Sequence, residues 1–213
     1  MASKGLFISF EGSEGCGKST QIARLATWIR ESGREVITLR EPGGTPIGEQ
    51  IRNLLQYDDA GKAMTPEAEI LLFAASRAQL VREVIRPALL RGAVVLCDRF
   101  FDSTTVYQGV ARALAQEEVQ AINGFAVGET VPDLTILLDL DAAEGRRRAA
   151  GRKGPKDRME QEDEGFYESV RQGYLELARA YPGRIAVIPA VGGEGEVEAS
   201  ITTVLKERCH GFF

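Results

Sequence analysis

The chain has 213 residues, of which 44% are hydrophobic and 27% are charged. This composition predicts one soluble globular domain and excludes disordered, collagen-like and membrane-spanning chains. Its 26 lysines and arginines face 31 aspartates and glutamates, which gives a formal charge of −5. A negative molecule repels a nucleic-acid backbone, so we expect no nucleic-acid partner and only a local site for any polyanionic ligand.

The three cysteines, Cys16, Cys97 and Cys209, lie far apart and without the spacing of a disulfide framework or a metal site. We expect them to be reduced, as in the cytoplasm. The apolar run before Glu11 has five residues, which is too short for the core of a signal peptide. No stretch approaches the roughly 20 apolar residues of a membrane span. The sequence therefore predicts a cytoplasmic protein without a membrane partner.

Five short apolar runs, rich in β-branched residues, predict strands that are covered on both faces. They are residues 6–10, 36–39, 93–97, 134–140 and 185–189. The segments between them include stretches with helical spacing: Lys18–Ser32, Pro66–Leu90, Glu117–Val127 and Glu164–Tyr181. Alternating strands and helices predict an α/β fold, a five-stranded parallel sheet with helices on both faces. Pro87 predicts a kink or an early end in the 66–90 helix.

The segment Arg146–Arg158 differs from the rest of the chain in composition, because seven of its thirteen residues are basic and only Asp157 is acidic. Such a cluster can close over a polyanionic ligand, neutralise its charge and exclude water. We therefore expect a mobile lid at about residues 143–163, within a single domain that spans residues 1–213. A solvated charged surface is the simpler alternative.

The first predicted strand is followed directly by residues 12–19, GSEGCGKS, which match the P-loop pattern GxxxxGK[ST] in full. A strand before the loop and a helix after it are the context that this motif requires. The glycines let backbone N–H groups surround phosphate oxygens, and the positive end of the helix dipole adds to that attraction. Lys18 can then approach the β- and γ-phosphates, and the Ser19 hydroxyl can bind Mg²⁺.

A carboxylate and a cation, Asp98 and Arg99, follow the predicted strand at 93–97. In open α/β sheets, ligands bind outside the carboxyl ends of the strands. Asp98 can therefore bind the hydrated metal beside the P-loop, and Arg99 can reach a transferring phosphoryl group. The two asparagines, Asn53 and Asn123, are not followed by lysine, so the guanine signature of GTP-binding switches is missing. The pattern indicates phosphoryl transfer from a nucleoside triphosphate.

Five blocks of the sequence, in this order, resemble the thymidylate kinases, P-loop enzymes that phosphorylate dTMP to dTDP with ATP and Mg²⁺. The blocks are Phe10–Thr20, Arg40–Thr45, Phe73–Gln79, Asp98–Gly109 and Asp157–Glu160. The P-loop block is generic, whereas the other four are specific, and the resemblance covers nearly the whole chain. It implies a P-loop nucleoside monophosphate kinase fold, ATP and dTMP as ligands, Mg²⁺ as cofactor, a homodimer, and a role in dTTP biosynthesis for DNA synthesis.

The resemblance also implies roles for residues in and near the matching blocks. ATP would be bound by Gly12, Ser13, Glu14, Gly15, Cys16, Gly17, Lys18, Ser19 and Thr20, and Mg²⁺ by Ser19 and Asp98. The acceptor dTMP would be bound by Glu14, Glu41, Pro42, Arg52, Phe73, Arg77, Arg99, Thr104, Tyr107 and Gln108. In this set Phe73 stacks on thymine and Arg77 hydrogen-bonds the base edge. Thr104 and Gln108 read the pyrimidine, and Tyr107 lies beneath the sugar, where a 2′-hydroxyl would collide.

Catalysis requires positive charge around the transferring phosphoryl group. Lys18 and Arg99 provide part of it, and the resemblance implies a further arginine from either the P-loop or the lid. The variable P-loop positions 13–16 hold no basic residue, so this charge must come from the lid. Arg158 lies in a matching block. Arg152 and Lys153 lie near the expected position of the lid arginine, and the sequence does not decide which of the two occupies it.

Two other functions remain open from the sequence. A P-loop kinase of a different nucleoside monophosphate would share the P-loop but not the acceptor roles. An ATP-dependent switch or partitioning-type regulator would hydrolyse ATP without phosphorylating an acceptor, and it would leave the blocks at 73–79 and 98–109 unexplained.

Overall fold

The computed structural model describes residues 5–151, 158 and 162–212. The described part of the chain forms a five-stranded sheet from β1 (Leu6–Glu11), β2 (Val36–Arg40), β3 (Val94–Asp98), β4 (Leu134–Asp139) and β5 (Ile185–Pro189). The strand order is β2-β3-β1-β4-β5, so β1 is central, and neighbouring strands pair in parallel. The predicted parallel α/β sheet is confirmed.

Helices connect the strands and cover both faces of the sheet. They are α1 (Lys18–Glu31), α2 (Pro46–Gln56), α3 (Pro66–Leu80), α4 (Arg86–Leu90), α5 (Phe101–Thr104), α6 (Gln116–Val127), α7 (Ala142–Ala150), α8 (Glu164–Ala180) and α9 (Glu194–Arg208). A π-helical segment, Val81–Ile85, joins α3 to α4, and another, Thr105–Ala111, extends α5. The 66–90 stretch is therefore helical throughout. A wide turn precedes Pro87, and the helix does not end early there.

Helices α2 and α3 begin at the same sequence signal, a threonine followed by proline. Thr45 Oγ1 accepts from the N–H of Gly48 at 3.0 Å, and Thr65 Oγ1 accepts from the N–H of Ala68 at 3.4 Å. Each hydroxyl satisfies a first-turn N–H group, and the proline provides a helical φ. Helix α1 differs, because Gly17 precedes it with a left-handed φ of 95° and has no side chain to cap it. The first N–H groups of α1 thus have no side-chain cap, and such groups can bind an anion.

Alternation along β1 divides its side chains between two layers. One set packs toward α1 and α9: Leu6, Ile8 and Phe10. Phe7 packs on the opposite face, against α3, α4 and the turn between them. Ser9 and Glu11 follow Phe7 at intervals of two residues and are both fully buried. Because buried polar side chains need hydrogen-bond partners, this face contains a polar network at the end of β1, next to the P-loop.

The predicted lid at 143–163 begins inside α7. Residues 152–157 and 159–161 lie outside the described residues, so the lid stays a prediction. The helices that the structure describes include none long and apolar enough to cross a membrane.

Candidate active site

The P-loop connects β1 to α1 and surrounds the Lys18 side chain. Gly12, Gly15 and Gly17 have φ values of 133°, 74° and 95°, in a backbone region that glycine enters without steric strain. Lys18 is 7% exposed, and its Nζ donates to the carbonyl oxygens of Gly12 at 3.1 Å and Ser13 at 3.0 Å. The carbonyl groups of the P-loop therefore hold the Lys18 ammonium group in place.

The charges beside the loop suit a phosphate and a hard metal ion. Burial alone would lower the pKa of Lys18, but nearby negative groups, Glu14 and Asp98 among them, keep it above its usual value. Ser19 Oγ donates to Asp98 Oδ2 at 2.8 Å and links the first turn of α1 to the end of β3. Within the described ranges, no cluster of three or more His, Cys, Asp or Glu side chains could bind a metal. One hydroxyl and one carboxylate fit Mg²⁺, which takes its remaining oxygens from water and phosphates.

Arg99 follows β3 and directs its guanidinium at the P-loop. Its Nη1 donates at 3.1 Å to the carbonyl oxygen of Gly12, the same oxygen that Lys18 contacts. Its Nη2 donates to Glu14 Oε1 at 2.6 Å, and its guanidinium carbon lies 5.1 Å from the centre of the Tyr107 ring. Burial opposes the charged form, yet Tyr107 and Glu14 raise the pKa of Arg99 well above its usual value. The guanidinium is a permanent cation beside the loop.

A second wall of the site follows β2, where the Glu41–Pro42 peptide bond is cis. Arg52 of α2 donates from Nη1 to the carbonyl oxygen of Pro42 at 3.0 Å, which brings two predicted acceptor-site residues together. Burial raises the pKa of Glu41 to about 7, against the opposite effect of Arg77. The Oε1 atom of Glu41 is buried without a hydrogen-bond partner in the described part of the chain. A bound ligand or water would relieve that energetic cost.

Arg77 is buried at the centre of a polar cluster, with 1% of its surface exposed. Its Nε donates to Glu41 Oε2 at 2.7 Å, and its other nitrogens donate to Thr104 Oγ1, Asn123 Oδ1 and the carbonyl oxygen of Phe100, at 3.0, 3.1 and 3.4 Å. These four bonds engage most of its N–H groups, so its contact with a base stays a prediction. Asn123 joins the site without having been predicted from the sequence.

The remaining pyrimidine-site residues lie on α3 and on the helix after β3. Phe73 is half-buried one turn before Arg77, while Thr104 and Gln108 are each 1% exposed. Gln108 Nε2 donates at 2.7 Å to Oε1 of Glu69, a buried carboxylate one turn before Phe73. Because an ionised carboxylate only accepts hydrogen bonds, Glu69 orients the Gln108 amide with its nitrogen toward α3.

Arg158 contacts the acceptor side of the site. Its backbone N–H donates to the carbonyl oxygen of Gln56 at 3.1 Å, its Nε donates to that of Leu55 at 3.1 Å, and its guanidinium pairs with Glu69. All hydrogen bonds that Arg158 gives to described residues go to α2 and α3. Its contact with a transferring phosphoryl group stays a prediction, and Arg152 lies outside the described residues.

The sequence analysis missed three polar residues that surround Arg99. Nη1 of Arg99 donates to Ser103 Oγ and to the Tyr174 hydroxyl, both at 3.3 Å. Both hydroxyls also donate to Oε2 of Glu11, at 2.6 and 3.0 Å. The signal that could have indicated Glu11 was the period of two in β1. Tyr174 has no comparable local signal, because it is 75 residues away from Arg99 along the chain.

Two sites therefore meet at the carboxyl edge of the sheet. The P-loop with Lys18 can bind the phosphates of a nucleotide, and the pocket around Arg77 can bind an acceptor. Arg99 contacts the P-loop, and the carbonyl of the next residue, Phe100, accepts from Arg77. This geometry is that of a P-loop kinase, in which a donor and an acceptor meet beside fixed positive charges.

The sequence matches the thymidylate kinase family over residues 10–201. It is 50% identical over 208 residues to a thymidylate kinase of Deinococcus radiodurans, covering 98% of this chain and 100% of the relative. It is 52% identical over 205 residues to one of Geobacter sulfurreducens, covering 94% of each. The crystal structure of thymidylate kinase from Ehrlichia chaffeensis is similar with a TM-score of 0.77 and 32% identity, over 95% of this chain and 99% of that one. The chain belongs to the thymidylate kinase family.

Proposed function

We propose that the chain transfers the γ-phosphoryl group of ATP to dTMP with Mg²⁺, forming ADP and dTDP in the cytoplasm for dTTP biosynthesis and DNA synthesis. Family membership supports the substrates. One structural observation carries the proposal: Lys18 Nζ and Arg99 Nη1 both donate to the carbonyl oxygen of Gly12, each at 3.1 Å. Two cations on one carbonyl concentrate positive charge where the donor and acceptor phosphates would meet.

The transfer requires positioning and charge neutralisation more than acid–base chemistry. The bond between the γ-phosphorus and the oxygen bridging to the β-phosphorus breaks while an oxygen of the dTMP phosphate bonds to that phosphorus. Lys18 binds the donor phosphates, and Arg99 binds the acceptor phosphate and the transferring group. A lid arginine, Arg158 or Arg152, supplies further charge and helps to exclude water when the lid closes.

Ser19 and Asp98 are the residues that would bind Mg²⁺, since their oxygens lie 2.8 Å apart beside the loop. The bound ion neutralises phosphate charge. The backbone N–H groups of residues 12–17 and the uncapped start of α1, with Lys18, Ser19 and Thr20, bind the phosphates of ATP.

The pocket between α2, α3 and the helix after β3 selects dTMP. Phe73 stacks on thymine, an interaction worth about 1–3 kcal/mol by analogy with other base–aromatic contacts. Arg77, Thr104 and Gln108 read the edge of the base, and Tyr107 excludes a ribose 2′-hydroxyl. Further members of the acceptor wall are Glu14, Glu41, Pro42 and Arg52.

The active form is a homodimer that uses the outer face of α3 and α6. Leu71 on α3 is 57% exposed and Phe125 on α6 is 84% exposed, and the two helices pack against each other. Large exposed apolar side chains on neighbouring helices favour an association surface there. Leu71 lies on the same helix as Phe73 and Arg77, so association would stiffen the acceptor pocket.

The decisive experiment is steady-state ADP release with Mg²⁺ and ATP across dTMP, dUMP, UMP, CMP, AMP and GMP, with products identified by mass. We expect strong preference for dTMP and formation of dTDP. Turnover with another monophosphate instead would contradict the acceptor roles of Phe73, Arg77, Thr104 and Gln108. ADP release without any phosphorylated acceptor would favour an ATP-driven switch.

The control for this experiment is Lys18→Ala. It removes the buried cation of the P-loop, so we expect turnover to be nearly abolished while the circular dichroism spectrum is retained. Unchanged turnover in this variant would contradict the proposed phosphate site.

A further inference from the structure

Arg99 has a backbone conformation that must be held in place. Its φ of 68° is left-handed, which is sterically unfavourable for a residue with a Cβ. The N–H of Arg99 donates to the carbonyl oxygen of Phe10 at 2.9 Å, and the N–H of Phe100 donates to Glu11 Oε1 at 2.8 Å. The last two residues of β1 thus anchor the backbone on both sides of the Arg99 α-carbon.

The same carboxylate also acts on the Arg99 side chain. Oε2 of Glu11 accepts from Ser103 Oγ at 2.6 Å and from the Tyr174 hydroxyl at 3.0 Å. Both oxygens accept from Arg99 Nη1 at 3.3 Å. Each hydroxyl has one proton, and above about pH 7 Glu11 is ionised and can only accept, so it attracts both protons and leaves lone pairs for the guanidinium. The two hydroxyl oxygens also lie 2.8 Å apart, which keeps them together as one acceptor pair for Arg99. Glu11 is fully buried, so it acts from behind the site.

We propose that Glu11 is a positioning residue for Arg99, which it holds through the Phe100 amide and through the hydroxyls of Ser103 and Tyr174. The proposal rests on the function proposed above. Glu14 binds the opposite end of the guanidinium, with Nη2 to Oε1 at 2.6 Å. Without the hydroxyls of Ser103 and Tyr174, the guanidinium would shift toward Glu14. A displacement of 1 Å at a reacting centre can reduce turnover by about 10²-fold.

The test compares the affinity for dTMP with that for thymidine by calorimetry at pH 8, where Glu11 is ionised, without ATP or metal, because the two ligands differ only in the phosphate that Arg99 binds. In Glu11→Gln we expect the affinity for dTMP to fall about tenfold and that for thymidine to stay within about twofold. Arg99→Ala should lose the same preference, and the double variant should lose no more than Arg99→Ala. Turnover should follow the same non-additive pattern, with kcat about 10- to 100-fold lower in Glu11→Gln and the KM for ATP unchanged.

Variants that remove only a hydroxyl group keep the test valid if Glu11→Gln fails to fold. Ser103→Ala, Tyr174→Phe and their combination remove only the hydroxyls, and the combination should reproduce the loss of phosphate preference. Tyr181→Phe, at the end of the same helix α8 but 50% exposed, is the matched control and should behave like wild type.

Two results would overturn the inference. One is an equal loss of dTMP and thymidine affinity in these variants, as expected of a merely structural role. The other is a double variant of Glu11→Gln and Arg99→Ala whose loss of dTMP affinity equals the sum of the two single losses. Wild-type protein that binds neither ligand would instead contradict the proposed function.

Discussion

Two buried carboxylic acids, Glu11 and Glu41, lie at the ends of β1 and β2 beside the site. Burial raises the pKa of Glu11 to about 7, with a further rise from Asp102. Burial raises the pKa of Glu41 to about 7 as well, although Arg77 acts against it. Burial disfavours the ionised form of each side chain. Ionising them therefore lowers the free energy of unfolding of the folded chain.

We therefore predict that the free energy of unfolding falls as the pH rises from about 5 to about 7. The unfolded chain releases these protons near pH 4.5, whereas the folded chain retains them until about pH 7, so it binds more protons in that interval. The expected loss is about 4 kcal/mol, about 2 kcal/mol from each group, measured by urea unfolding at several pH values. Glu11→Gln should reduce the slope and leave the part that belongs to Glu41. A free energy that rises across this interval would contradict these pKa directions.

Phe73 allows a second test at the scale of one residue. Phe73→Ala removes the ring that stacks on thymine, so we expect the KM for dTMP to rise by about one order of magnitude, with kcat and the KM for ATP little changed. Steady-state kinetics with each substrate varied in turn measure this separation. Leu90→Ala is the control, because it removes a large apolar side chain that is 83% exposed on α4, away from the proposed acceptor pocket and association surface. An unchanged KM for dTMP in Phe73→Ala would remove Phe73 from the acceptor site.

At the scale of elements, the P-loop is packed against α7, the helix that leads into the predicted lid. A Cβ on Gly145 would lie 2.5 Å from the carbonyl oxygen of Glu14, and one on Gly15 would overlap the carbonyl oxygen of Gly145. Both positions are too close for any side chain. The two backbones are therefore in contact. A shift of α7 must either move the P-loop with it or break this contact.

Gly145→Ala should destabilise the protein and raise the KM for ATP severalfold, although alanine inside a helix is ordinarily favoured over glycine by about 0.5–1 kcal/mol. Thermal unfolding and ATP-dependent kinetics measure the two effects. Gly195→Ala is the matched control, since a Cβ on this exposed glycine of α9 would have no atom within 4 Å, and the variant should be neutral or slightly stabilising. Equal behaviour of the two variants would show that the contact between α7 and the loop has no functional effect.

The elements themselves were largely predictable from the sequence, and the reason is physical. The apolar runs at 6–10 and 185–189 became β1 and β5 within one residue, because a strand buried on both faces leaves a continuous signal. The π-helical segments were not predicted, since they depend on which carbonyl each N–H reaches and not on composition.

The candidate site likewise has one part that the sequence predicts and one part that only the fold shows. The P-loop is local in sequence, so its lysine and glycines could be assigned before the fold was known. Glu11 has signals of its own in the alternation of β1, but its partners Ser103 and Tyr174 are 92 and 163 residues away. Only the fold shows that they share one carboxylate oxygen. The cluster of Arg77 with Asn123 is likewise formed by two helices, from residues 46 positions apart.

At the scale of the whole molecule, we predict a homodimer through α3 and α6. Phe125 is 84% exposed on α6, and α6 also contributes Asn123, which binds the buried Arg77 of the acceptor pocket. A charge at the centre of an apolar interface is unfavourable. Phe125→Asp should therefore shift the protein toward monomer and raise the KM for dTMP more than the KM for ATP.

Sedimentation velocity at several protein concentrations, with kinetics on the same samples, measures both effects. Val187→Asp is the control, because Val187 is an exposed apolar residue on β5, at the edge of the sheet opposite to β2. If association serves the acceptor pocket, the KM for dTMP should return toward the wild-type value when a high concentration of Phe125→Asp restores the dimer. A monomeric Phe125→Asp with wild-type kinetics would separate association from catalysis, and a wild-type monomer would contradict the dimer altogether.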